Sequence, residues 1–102
     1  MNQDEARALL DEFRVLIDDV DRRIVELLNE RTRVVEEIGR VKRQAKLPIY
    51  EPKREDQVFA NITGVNHGPI TQDAVRRIFE RIIDEMRTIQ RMRMEEGAKD
   101  KC

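Results

Sequence analysis

The chain has 102 residues, 40% of them charged and only 4% aromatic, with no Trp. That length makes one domain near the small end of what buries its own core, and that composition suits long amphipathic helices and argues against a β-sandwich or barrel. Lys plus Arg number 20 against 21 Asp plus Glu, interspersed, so a formal charge of −1 leaves no electrostatic footprint for DNA or RNA.

The first predicted element is one long helix from about Glu5 to about Gln44, with no Pro and no Gly before Gly39. Its apolar positions step by three and four: Leu10, Phe13, Ile17, Val20, Ile24, Leu27, then Val34, Ile38 and Val41. A helix of that span extends about 60 Å, whereas a compact chain of this size has a radius of gyration of only about 13 Å. The rest of the chain is too short to cover it, so the seam predicts a partner, most simply a second copy around a two-fold axis.

Pro48 breaks the helix, since it disfavours helical geometry at the residue before it. Glu51-Pro52 starts a second, short helix, with Pro52 at its first position and Glu51 at the positive end of its dipole. That helix carries Arg54, Glu55, Val58, Phe59 and Ile62 on one broad face. Gly64 to Pro69 reads as a loop. Thr71 is the expected N-cap of a third helix, whose apolar strip of Val75, Ile78, Phe79, Ile82, Ile83, Met86 and Ile89 is continued by Gln90. Gly97 is the expected stop, which divides the chain into a domain over residues 1–96 and a disordered tail over 97–102. The fold class is all-α, three helices in the order long, short, long, in an intertwined homodimer.

Several polar groups interrupt the apolar faces. The step from Leu27 to Val34 lands on Arg31, and a second strip at steps of seven runs Arg14, Asp21, Leu28, Val35, Lys42. An ionised group inside a packed seam costs several kcal/mol unless something pairs with it. Singly, each cation reads as a snorkelling surface side chain or as half of a seam ion pair, Arg31 with Glu55 or Asp21 for example. Jointly they suggest a pocket for an anion. Arg31 and Lys42 share a face and stand about 16 Å apart along the axis, while Arg14 lies about 25 Å beyond Arg31. No single small ligand bridges that longer gap, so Arg14 can join the same site only from the other chain of an antiparallel dimer.

Cys102 is the sole cysteine and His67 the sole histidine, which leaves no intrachain disulfide and no metal-ligand spacing. No apolar run approaches the roughly 20 residues of a membrane span. With no signal-peptide pattern, the expected compartment is the cytoplasm.

Asp21 to Arg31, Glu37 to Lys42, Pro48 to Glu55 and Ile78 to Gln90 carry Leu-Leu-x-Glu-Arg, Ile-Gly-x-x-Lys and Pro-x-Arg-Glu pieces in order. Together they resemble the all-helical, type II chorismate mutases over roughly Leu10 to Arg91, and the segments at 50–55 and 66–69 look closest to mutase domains associated with DAHP synthases. The resemblance implies a cofactor-free, metal-free Claisen rearrangement of chorismate to prephenate, on the route to phenylalanine and tyrosine. It implies that Arg14 arrives from the partner chain to bind a carboxylate and that Arg31 holds the enolpyruvyl carboxylate. Lys42 and Gln90 would hydrogen-bond the ether oxygen. Glu55 would take the ring hydroxyl, aided by the backbone at Glu51, and Arg54 would support the anionic pocket. Met86 stands where some relatives have a Ser that contacts a carboxylate, and a DAHP synthase is a candidate larger partner.

Two other readings compete. An isochorismate-pyruvate lyase shares the fold and the cationic pocket, though Glu55 argues against it. A non-catalytic helical dimerisation or regulatory module of a larger shikimate-pathway enzyme predicts instead that Arg31 and Lys42 point to solvent.

Overall fold

The computed structural model describes the backbone of residues 1–100 and the side chains of residues 1–95. Three helices make up the fold: α1 (Gln3–Ala45), α2 (Pro52–Val65) and α3 (Gln72–Asp100). Among the described residues there is no strand, and no helix is long and apolar enough to cross a membrane.

Each helix end has a local cause. At the start of α1, Asn2 Oδ1 accepts a hydrogen bond from the Glu5 amide (2.8 Å) and Asn2 Nδ2 donates back to Glu5 Oε1 (3.0 Å). The first bond satisfies one of the amides that a helix start leaves open, and the second fixes the Asn2 side chain that accepts it. The other end of α1 closes before Pro48. Lys46 takes a left-handed conformation (φ 57), the Leu47 amide donates to the Lys42 carbonyl at 2.8 Å, and the Lys46 amide donates to the Arg43 carbonyl at 3.3 Å. That crossed pair is the closure usually made by a glycine.

Pro52 opens α2 as expected, but Glu51 makes no side-chain capping bond. The α2 helix runs through Gly64 to Val65, so the connection to α3 begins only at Asn66. Asn66 organises it, donating to the Ile70 carbonyl (3.0 Å) and to Gln72 Oε1 (2.9 Å) and accepting from the Gly68 amide (3.1 Å). Thr71 is the N-cap of α3, its Oγ1 accepting from the Ala74 amide at 3.1 Å. The predicted stop at Gly97 is not observed: α3 passes through it to Asp100. A lone glycine costs a helix only about 1 kcal/mol, which neighbouring turns absorb. Lys101 and Cys102 lie outside the described residues.

The chain comprises two compact units, Met1–Arg33 and the residues from Val34 onward. In the first, the helical seam is open: Leu10, Phe13, Ile17, Val20, Ile24 and Leu27 are between 42% and 63% exposed. Burying such a side chain fully stabilises by about 1.5–3 kcal/mol, so this face holds a large unrealised stabilisation. In the second unit α2 packs on α3, and among the described residues Val35, Ile83 and Met86 are buried apolar side chains. Arg76 lies 4.4 Å over the Phe59 ring. The Arg93–Glu36 ion pair (2.7 Å) joins the last turns of α1 to α3.

Candidate active site

Lys42 is the buried cation among the expected site residues. It is 9% exposed, on the face of α1 that also buries Val35 and Gly39. Its ammonium donates to the Ile49 carbonyl at 2.9 Å and pairs with Glu51 Oε1 at 3.0 Å. These two partners offset the cost of burying the charge. They also explain the missing cap on α2, because the Glu51 carboxylate is engaged with Lys42. The carbonyl of Lys42 receives the Leu47 amide, so the α1–α2 connection is wound around this lysine at both its backbone and its side chain.

Gln90 is the second buried polar residue, 7% exposed. It reaches α1 at Gly39, where a Cβ built on the glycine would stand 3.4 Å from Gln90 Cγ. Its Nε2 donates to the Val35 carbonyl at 3.4 Å, a long bond. Gly39 lies one turn before Lys42, so α3 sets a neutral carboxamide against the turn of α1 that leads to the cation. Met86, one turn before Gln90, is 8% exposed and lines the same face of α3.

Glu55 is partly buried on the first turn of α2. Its Oε2 lies 3.4 Å from Arg87 Nε of α3, with side-chain exposures of 21% for Glu55 and 30% for Arg87. The Arg87 guanidinium also sits 5.3 Å from the Tyr50 ring centroid and pairs with Asp84.

Within the second unit the structure thus pairs Lys42 with Glu51, sets Gln90 against Gly39 one turn before Lys42, buries Met86 and places Glu55 beside Arg87. Arg54 does not join them: it is exposed and donates to Gln57 on its own helix at 3.3 Å. Arg14 and Arg31 belong to the first unit. Arg14 is exposed and pairs with Asp11 at 3.4 Å, contrary to its expected place on a buried face, and Arg31 is half-buried. Arg14 stays in water because its seam is uncovered in the single chain. Sequence reasoning missed Arg87, Tyr50 and the Ile49 carbonyl. Arg87 had a signal, since it stands four residues after Ile83 and three before Gln90, at the edge of the buried strip. A backbone carbonyl has none.

Among the described residues no cluster of three or more His, Cys, Asp or Glu side chains could hold a metal ion. What the site offers is an ammonium and a carboxamide as fixed donors and carboxylates as acceptors, set on rigid helices.

These features define an all-helical domain with a polar, cation-containing interior. The family model for type II chorismate mutase matches residues 13–91, and the chain belongs to that family. The bifunctional chorismate mutase/prephenate dehydratase of Aquifex aeolicus is 36% identical over 86 residues, which cover 80% of this chain and 24% of that protein. The chorismate mutase of Methanocaldococcus jannaschii is 27% identical over 88 residues, covering 85% of this chain and 89% of the relative. A solved structure of chorismate mutase (form II) from Thermus thermophilus superposes with a TM-score of 0.78 at 36% identity, covering 80% of this chain and 93% of that one. The chain spans about a quarter of the length of the bifunctional relatives.

Proposed function

We infer that the chain is a chorismate mutase, an isomerase that rearranges chorismate to prephenate in the synthesis of phenylalanine and tyrosine. The observation that carries this reading is a buried Lys42 on α1 with a buried Gln90 of α3 packed at Gly39, one turn before it, in a chain of the type II family.

The reaction is intramolecular: the ether C–O bond breaks while a C–C bond forms, and no proton changes place. Two tasks fall to the protein. One is to hold a flexible dianion in the compact conformer that brings the reacting carbons together. The other is to stabilise negative charge growing on the ether oxygen. Lys42 and Gln90 serve the second task, as donors held before the reaction begins. Arg31 holds the enolpyruvyl carboxylate, and Arg14 of a second copy reaches the other, with Arg54 adding positive potential. Glu55 accepts the ring hydroxyl, next to the backbone at Glu51. Met86 supplies apolar wall where a carboxylate contact by a hydroxyl is absent. The open seam of the first unit supports a homodimer. The segments at 50–55 and 66–69 support a DAHP synthase as a larger partner, and the cytoplasm is the compartment.

Loss of chorismate absorbance with formation of prephenate, in buffer with chelator and no added cofactor, is the expected result. Release of pyruvate from isochorismate at a comparable rate would overturn it in favour of a lyase. Binding without turnover would favour a regulatory module.

A further inference from the structure

Arg87 has no role in the mechanism above, yet it sits at the junction of three elements. Its Nε is buried and makes no hydrogen bond, although it lies 3.4 Å from the Glu55 carboxylate. On its other side the guanidinium faces the Tyr50 ring at 5.3 Å, and Asp84 holds Nη2. A partly buried carboxylate needs a nearby cation. Arg87 supplies that charge without an aligned hydrogen bond, so the lone pairs of Glu55 stay available to another donor.

We propose that Arg87 is a positioning residue for the mutase reaction: braced by Tyr50 and Asp84, it holds the Glu55 carboxylate in place to accept the ring hydroxyl of the substrate. The proposal rests on the chorismate mutase reading and adds to it a residue outside the expected substrate contacts. It separates two jobs that one bond cannot do together. An aligned Arg–carboxylate fork would fix Glu55 by consuming its acceptor sites, whereas a planar cation set slightly off line fixes it by charge. A lysine, a flexible point charge without a face for Tyr50, would do this less well.

A double-mutant cycle on the full chain tests the idea. Arg87→Met is expected to lower kcat about tenfold or more, Glu55→Gln to do likewise, and the double variant to be no slower than the slower single one. Arg87→Lys should recover part of the loss. Tyr50 is the chain's one tyrosine and there is no Trp, so tyrosine emission reads the Arg87–Tyr50 contact without turnover. That emission should change in Arg87→Met, and also in Glu55→Gln, where the guanidinium loses its anchor. Losses that multiply in the double variant would overturn the proposal, as would an unchanged kcat in Arg87→Met beside an impaired Glu55→Gln. If Arg87→Met does not fold, Arg87→Gln takes its place in the cycle under the same criteria. A wild-type chain without mutase activity sinks the functional reading and the catalytic role together. A Tyr50 emission indifferent to both substitutions sinks the Arg87 contact alone.

Discussion

Gln90 lies against α1 at Gly39, with only 3.4 Å between its Cγ and the place a Cβ would take on that glycine. One methyl group fits that distance as an ordinary van der Waals contact, and a longer side chain does not. The glycine therefore sets how closely a neutral donor on α3 approaches the turn of α1 that bears Lys42.

Gly39→Ala is expected to keep activity and to raise stability by up to about 1 kcal/mol, since alanine is the better helix former. Gly39→Leu should displace Gln90 and lower kcat with the helix content intact. Steady-state kinetics beside circular dichroism would distinguish the two, and an active Gly39→Leu would show that Gln90 is not needed where it lies.

Lys42→Met removes the ammonium while keeping an apolar stem of similar length. A donor aimed at charge that develops in the transition state is worth about 10²–10³ in kcat, and KM should change far less. Stability should fall by about 1–2 kcal/mol, because Glu51, with a side chain 45% exposed, can return to water while the Ile49 carbonyl loses its donor. An equal rise in KM with kcat unchanged would mean that Lys42 only binds the substrate.

The apolar seam of residues 10–27 makes a prediction about assembly. In an isolated chain Ile17→Asp would be a surface change, at 60% exposure, and would cost at most about 0.5 kcal/mol. In a dimer that covers the seam it should lower the sedimentation mass and the thermal midpoint together. A wild-type midpoint independent of protein concentration, with a monomeric mass, would remove the two-chain picture.

That picture also predicts complementation between subunits. Arg14→Ala and Arg31→Ala chains, each inactive alone, should regain activity on mixing, because a mixed dimer contains one site with both arginines. Subunit exchange detected by mass spectrometry without any return of activity would mean that the two residues do not serve one site.

Lys46 offers a test of local geometry. A non-glycine residue in the left-handed region costs about 1–2 kcal/mol, so Lys46→Gly should stabilise by about 1 kcal/mol and raise the melting temperature by about 4 °C. A fall in the melting temperature would show that the Lys46 side chain makes a compensating contact.

Much of this protein is written in periodicity and end signals. The helical step from Leu10 to Val41, Pro52 at the first position of α2 and Thr71 at the cap of α3 all act through neighbours a few residues away, which a sequence displays directly. The register of Gln90 on an apolar strip and of Lys42 in line with Leu28 and Val35 is legible for the same reason, but the same register puts Arg14 on a buried face and the structure leaves it exposed. What only the tertiary structure decided are choices among partners far apart in the chain. Glu51 leaves its own helix uncapped to pair with Lys42, Lys46 takes a glycine's conformation because the connection must wrap that same lysine, and Arg87 finds Glu55 and Tyr50 instead of solvent. Each depends on which groups are desolvated together once the helices pack. No spacing along the chain encodes that, because the energy of a buried charge is set by its surroundings in space.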